Sequence, residues 1–408
     1  MISAKVRFRI YLILNFTTLK STNYIQLILA YFFISILLAL AYIWLIHFYV
    51  KGWLKTPNQN TKKELGVYLG ISVVISVRNE EANIKACIES ILKQDYPKST
   101  FELIVVNDFS TDNTLEVLAG FGDQIKVYKL SEHLASEAKF TANKKKAITL
   151  AVKEAKYDLI LCGDGDCVYG ERWISSMMQY YHKYHKKFIS GPVDYYDTKG
   201  FWKNFLLMDL VAMIGVTAGS IGQKKPVMAS GANMLFEKKS FLELGGYTGN
   251  ENIASGDDVF LMQKIFLNDS NAVGFVKNAD AFARTQSPAS FSEFLNQRIR
   301  WTSKSGNMMD FRVKAILVFN YLFYLSCFTS LFILPWFDLL FLAFGCLLLA
   351  LKILIDILFF GNILAFYNKS SLLKWIVPME IIHIIYVSFM GVLAIFGSYT
   401  WKGRNVKK

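Results

Sequence analysis

Apolar and polar positions divide the chain into three stretches. From Tyr24 to Val50 the sequence YIQLILAYFFISILLALAYIWLIHFYV carries no Asp, Glu, Lys or Arg. It exceeds the roughly 20 residues that cross a bilayer, and so predicts a transmembrane helix. The basic start (Lys5, Arg7, Arg9) imitates a signal peptide, but the apolar run is too long and no small-residue cleavage site follows it. Residues 51–65 are polar and Lys-rich, a linker off the membrane. From about Gly66 the period changes. The β-branched run ISVVISV (71–77) precedes a helix-period stretch at about 80–94, then come FELIVVN (101–107), another helix, KVYKL (126–130), a Lys-rich helix (143–155) and YDLILCG (157–163). Strands alternating with helices predict an α/β, Rossmann-like sheet, mostly parallel. In such sheets ligands collect beyond the carboxyl ends of the strands.

After about Phe311 the chain turns apolar again. Three spans are expected, near 315–335, 337–360 and 375–398, with Pro335 and Trp336 between the first two and Lys369 and Lys374 before the last. The expected organisation is a basic tail (1–23), a transmembrane helix (24–50), a linker (51–65), an α/β domain (66–310), a C-terminal membrane region of about three helices (311–400) and a basic tail (401–408). Lys352, Asp356, Glu380 and His383 fall inside apolar segments, where charged groups either mark a pathway or pair with one another; pairing at a helix interface is the expectation.

Composition adds the membrane as a partner: hydrophobic residues make up 53% of the 408, with the excess at the two ends. The formal charge of +13 is spread along the chain and flanks apolar stretches instead of forming one basic helix. That distribution fits a membrane surface and a diphosphate ligand and excludes nucleic acid, for which no fingerprint appears. Five cysteines, an odd number without paired spacing, are read as reduced thiols in a catalytic domain on the cytoplasmic side of the inner membrane. This placement strains against charge. One span before the domain and three after it would put both basic tails outside, against the positive-inside tendency, unless one C-terminal segment is re-entrant or the count is off by one.

The chemistry concentrates at strand ends. Leu159-Ile160-Leu161-Cys162-Gly163-Asp164-Gly165-Asp166 is an apolar strand closing in two carboxylates one glycine apart. A turn there lets both point at one ion, and hard oxygen ligands suit Mg²⁺ or Mn²⁺; the bland alternative is a surface turn. The company it keeps favours a site. Val105-Val106-Asn107-Asp108 ends another strand with an acid, followed by Ser110 and Asp112 as helix caps, and Val77-Arg78-Asn79-Glu80 ends the first. Further on, Ser255-Gly256-Asp257-Asp258 precedes an apolar-periodic helix; one carboxylate fits a cap, while a second adjacent one fits a base that takes a hydroxyl proton. Ser290-Phe291-Ser292-Glu293 is a capping box opening a helix whose Gln297, Arg300 and Trp301 share a face. Arg offers a fork for phosphate oxygens and Trp a platform for a sugar ring; a basic amphipathic helix lying on the membrane is compatible with both.

This ordered set, over about residues 68–305, resembles family 2 glycosyltransferases of the GT-A fold, in the branch of membrane polysaccharide synthases that make cellulose, hyaluronan and poly-N-acetylglucosamine. The resemblance implies that Val77, Arg78, Glu80 and Asp108 line a nucleotide pocket. It places Lys144 or Lys145, in Asn143-Lys144-Lys145-Lys146, near the donor. Asp164 and Asp166 match the metal-holding pair, with Asp166 the more direct ligand. Ser230-Gly231-Ala232-Asn233 matches an acceptor-side stretch, Asp257 and Asp258 match Glu-Asp with Asp258 as base, and Gln297, Arg300 and Trp301 match Gln-x-x-Arg-Trp. Asn107 departs from a common aspartate and Asn143 from a common glycine. The implied reaction is an inverting displacement from a nucleotide-diphosphate sugar, by family preference a UDP-sugar, onto a hydroxyl of a glycan or lipid acceptor. Its rivals are a single-addition glycolipid transferase and, from another class, a sensing scaffold or transporter for polymer export.

Overall fold

The structure, a computed structural model, describes residues 4–59, 66–133, 143–197, 199–251, 253, 255–303, 310–396, 399–401 and 404–406. In chain order the elements are α1 (Ala4–Lys55), β1 (Ile71–Val77), α2 (Ile84–Leu92), β2 (Phe101–Asn107), α3 (Thr114–Ala119), β3 (Lys126–Lys129), α4 (Asn143–Glu154), β4 (Leu159–Asp164), β5 (Val168–Tyr169), α5 (Trp173–Tyr184), β6 (Phe188–Ser190) and β7 (Val193–Tyr195). They continue with α6 (Phe201–Gly222), β8 (Asn233–Glu237), α7 (Lys238–Glu243), α8 (Asp257–Asn268), β9 (Val273–Phe275), β10 (Ala283–Thr285), α9 (Phe291–Ser303), α10 (Phe311–Phe328), α11 (Leu340–Phe366), α12 (Ile376–Phe396), β11 (Tyr399–Trp401) and β12 (Arg404–Val406).

The β-branched runs make the centre of a seven-stranded sheet ordered β3-β2-β1-β4-β8-β6-β9. Strands β1, β2, β3 and β4 pair in parallel, whereas β8 runs antiparallel to both β4 and β6. Both faces are covered, so β1 is buried along nearly its whole length, as a parallel central strand requires. The register sets Val77 beside Asn107 and Ser76 beside Asp164. Three polar strand ends therefore lie on one rim. A small second sheet, β5-β10-β7, joins the turn after β4 to the segment leading to α9.

Two boundaries differ from expectation. Helix α1 extends beyond the apolar run at both ends, so the start of the expected linker is helical to Lys55, with Gly52, Trp53 and Thr56 buried; residues 60–65 of that linker lie outside the described residues. The larger difference is α6. The sequence reading placed long apolar helices only at the two ends of the chain, but among the described residues five are long and apolar enough to cross a membrane, and α6 is one. Its most apolar window is 72% buried within the protein, against 17–33% for the other four. Helix α6 packs on α1, α11 and strands β7 and β9. The crossing with α1 is backbone on backbone: a Cβ added at Gly52 would stand 1.8 Å from the Gly219 carbonyl oxygen, and one at Gly222 2.1 Å from the Gly52 carbonyl oxygen. Small residues permit such closeness where helices meet in an apolar setting.

The ionisable residues inside the apolar helices pair as expected. Lys352, 1% exposed, bonds Asp356 at 2.5 Å and also Glu380. The Tyr42 hydroxyl of α1 donates to both Asp356 oxygens at 2.9 and 3.0 Å.

Candidate active site

The site is assembled around the first turn of α4. Asn143 donates its side-chain amide to Asp108 Oδ1 at 2.8 Å. Lys144 Nζ lies 2.7 Å from Asp164 Oδ1 and 3.1 Å from Asp257 Oδ2. Two successive residues of one helix thus touch carboxylates that follow β2, end β4 and open α8. Asn143, a departure from the family pattern, is what holds Asp108, which is 1% exposed.

The other strand ends close the same cleft. Arg78 donates to the carbonyl oxygens of Asp108 (3.0 Å) and Phe109 (2.5 Å). Glu80 is buried, accepts from Asn83 at 2.9 Å, and its backbone N–H donates to Thr114 Oγ1. Gly165 lets the turn between Asp164 and Asp166 settle on the first strand: a Cβ there would meet Val77 Cγ1 at 2.8 Å and Glu80 at 3.6 Å. Gly231 plays the same part opposite, since its Cβ would stand 2.8 Å from Asp257 Oδ2 and 3.1 Å from Lys144 Nζ. A run of neighbouring contacts thus connects Val77 and Glu80 with Gly165, and Gly231 and Asp257 with Lys144 and Asp164. Asp257 and Asp258 are the first residues of α8, after Gly256 at φ +86°, and the helix N-terminus favours anions there. Asp258 is half-buried and accepts from the Val259 N–H at 2.7 Å.

Of the two candidate lysines, Lys144 faces the carboxylates. Lys145 is buried, donating to the Asn250 carbonyl at 2.9 Å, with Phe260 and Tyr247 rings against its ammonium. Burial pulls the Lys144 pKa down, yet Asp164 and Asp257 together lift it well above the ordinary lysine value. The ammonium is a fixed positive charge throughout the neutral range.

Asn233 supports the site from behind. It is fully buried and its amide is fully used: the oxygen accepts from Trp173 Nε1 at 3.0 Å, and the nitrogen donates to Pro192 and Ala281 carbonyls at 2.8 and 2.7 Å. Tyr169 was not singled out in the sequence, though it shapes the turn: its hydroxyl accepts from the Asp164 N–H at 3.1 Å while its ring stacks on Trp173 at 3.8 Å. Cys87 and Cys167 lie beneath, buried and unbridged, and burial with the nearby Asp166 and Asp164 charges holds both thiols well above their usual pKa. They act as core packing.

Helix α9 starts as its capping box predicts, the Glu293 N–H donating to Ser290 Oγ at 3.1 Å, with the Glu293 carboxylate taking the Ala289 N–H. Gln297, Arg300 and Trp301 are half-buried on it. Tyr195 of β7 lies within reach of charges from both sides, Arg298 of α9 and Asp166 of the turn after β4. Burial raises the Tyr195 phenol to about 12, against Arg298, with Asp209, Asp166 and Asp197 adding to the rise.

Asp164 and Asp166 are the kind of oxygen donors that a divalent ion takes. Among the described residues no group of three or more His, Cys, Asp or Glu is arranged to hold a metal alone. Two carboxylates on a turn supply hard oxygen ligands and leave the remaining places to phosphate oxygens and water, the usual manner for Mg²⁺. The lysine ammonium drawn between Asp164 and Asp257 marks the negative potential that would hold it.

The fold and this rim define a GT-A glycosyltransferase. The chain belongs to glycosyl transferase family group 2, which matches residues 159–368, just over half of it, while the overlapping glycosyl transferase family 2 matches residues 72–245. Among curated relatives, the poly-beta-1,6-N-acetyl-D-glucosamine synthase of Staphylococcus epidermidis is 24% identical over 257 residues, 62% of this chain and 59% of that protein. Glycosyltransferase AglE of Haloferax volcanii is 30% identical over 107 residues, 26% of this chain and 33% of that one. The matches thus span less than two thirds of these relatives' own lengths. Among solved structures, mannosyltransferase PcManGT from Pyrobaculum calidifontis, in complex with GDP-Man and Mn²⁺, shares the fold with a TM-score of 0.50 at 16% identity, over 86% of this chain and 96% of that one.

Proposed function

We propose that the protein is an inverting, metal-dependent transferase that moves a sugar from a nucleotide diphosphate, by family preference UDP, to a hydroxyl of a polysaccharide or lipid-linked glycan at the cytoplasmic face of the inner membrane. The observation that carries this reading is the meeting of Asp108, Asp164 and Asp257 at the first turn of α4. Polymer synthesis draws support from the poly-N-acetylglucosamine synthase relative and from the Gln297-Arg300-Trp301 helix.

Each residue's part follows from its chemistry. Val77, Arg78, Glu80 and Asp108 bound the nucleotide end of the cleft. Asp166 and Asp164 would hold Mg²⁺ or Mn²⁺, which supplies positive charge for the departing diphosphate. Lys144 supplies a second positive charge beside it, pre-placed and always protonated. Asp258, at the mouth of α8, takes the proton of the attacking hydroxyl as the new glycosidic bond forms and the bond to the diphosphate breaks. Arg300 and Gln297 hold phosphate oxygens and Trp301 stacks on the acceptor sugar.

Replacing Asp258→Asn tests the assignment. Transfer should fall by about 10³-fold or more, while nucleotide-sugar binding by calorimetry stays within twofold. A variant that still transfers would remove Asp258 from its role. Diphosphate release with and without Mn²⁺, and the product length from labelled donor, separate enzyme from sensor and polymerase from single addition.

A further inference from the structure

Arg298 lies between Gln297 and Arg300 and is more deeply buried than either. It is 4% exposed, and its guanidinium sits 4.2 Å from the centre of the Trp301 ring and 4.9 Å from that of Phe294. One face of the Trp301 indole is therefore covered by a cation. The counter-charge is Asp209 in the middle of α6: Arg298 Nη2 lies 2.5 Å from Asp209 Oδ2, an ion pair rather than an aligned hydrogen bond. Met213 Sδ, one turn further along α6, lies 3.3 Å from Nη1.

The contacts continue into the membrane helices. His383 Nε2 lies 3.8 Å from Asp209 Oδ1, and His383 Nδ1 is 3.3 Å from the Tyr324 hydroxyl and 4.0 Å from Glu380 Oε2. Glu380 in turn holds Lys352, which holds Asp356. A single string of ionisable groups thus runs from α11 through α12 and α6 to α9. The Phe294 and Tyr386 rings, tilted at 43° with centroids 5.1 Å apart, seat α9 on α12 beside it.

We propose that Asp209 is a positioning residue for the acceptor side of the site: by pinning Arg298 against Trp301 it fixes the orientation of the indole, and through His383 it ties that orientation to the packing of the membrane helices. Asp209 touches no reacting atom. The inference rests on the reading of Trp301 as the acceptor platform, yet its structural half stands apart from that reading. Removing the carboxylate leaves a buried guanidinium without its counter-charge, so Arg298 swings away and the indole loses its backing.

The test uses the full chain in detergent or nanodiscs, with Asp209→Asn and Asp209→Glu. Trp301 emission is isolated by subtracting the spectrum of a matched Trp301→Phe variant. Expected for Asp209→Asn are a shifted Trp301 emission, donor affinity within twofold of the parent, and transfer to acceptor lowered roughly 10- to 100-fold, the scale of an ångström-sized misplacement. Asp209→Glu should recover part of both signals. Parental emission and parental transfer in Asp209→Asn would overturn the proposal, and so would an equal loss of donor affinity and transfer. If Asp209→Asn does not fold, Arg298→Lys carries the test, because an ammonium lacks the flat face that covers the indole; unchanged emission there overturns it too. Should the parent turn over no nucleotide sugar, the functional reading fails, while the emission experiment still decides the positioning.

Discussion

Replacing Lys352→Met removes the one cation from a buried knot that holds two carboxylates. Lys352 is 1% exposed, Asp356 2% and Glu380 3%. At that burial, losing the ammonium would leave both acids and the Tyr42 hydroxyl in an apolar bundle without the charge that compensates them. Breaking a buried pair by removing one partner costs about 3–5 kcal/mol, a factor of roughly 10² to several thousand in the folding equilibrium. Unfolding in mixed micelles, titrated with SDS and followed by circular dichroism, should show that loss. Asp356→Asn and Glu380→Gln added to Lys352→Met remove the charges the lysine left behind, and the triple variant should regain most of it. A loss below about 1 kcal/mol for the single variant, or no recovery in the triple one, would refute the claim that the knot is a dry, mutually compensated ion cluster.

Two further outcomes follow from the site and its borders. Lys144→Met takes away the ammonium shared by Asp164 and Asp257, and the dissociation constant for nucleotide diphosphate should rise roughly 10- to 100-fold, the worth of a hydrogen bond to a charged group; a change under twofold by calorimetry would make Lys144 a brace only. Asp310 caps α10, accepting the Arg312 N–H at 2.9 Å, and the Arg312 side chain, opposed by burial, holds its carboxyl below the usual range. That contribution is complete above the unfolded aspartate pKa of about 4 and is lost as pH falls through the lower folded value. Asp310→Asn keeps a capping oxygen but loses the charge facing the partly exposed Arg312, so it should be less stable than the parent by about 0.5 kcal/mol at pH 7, with the gap closing below pH ~4; a gap that persists in acid would contradict it.

Much of the sheet was legible because its strands are continuous β-branched runs: 71–77 and 101–107 became β1 and β2 residue for residue, and the polar residues that end them became the rim. Helix α6 was not, because an apolar helix in mid-chain looks like an ordinary buried one; only its neighbours α1 and α11 show what its surface is for. The short strands β5, β6, β7, β9 and β10, of two or three residues each, carry too little pattern to read. At the site, the order of motifs located the carboxylates, but nothing in a run of three lysines says that Lys144 faces in and Lys145 faces the Asn250 carbonyl. Asn233, expected on the acceptor side, has its amide committed to the scaffold, which a loop reading cannot foresee. Arg298 was hidden because its partner, Asp209, is 89 positions away on the unrecognised α6.

The glycine-to-glycine crossing of α1 and α6 makes a division of labour between anchor and enzyme impossible. One continuous set of buried side chains runs from Ala39, Tyr49 and Trp53 through the central sheet to Ile384. Trimming away the first helix to obtain a water-soluble transferase would bare the oily flank of a rod whose two ends feed β7 and β8, the strands behind Tyr195 and Asn233. The long apolar helices are in that sense ribs of the same body that carries the sheet.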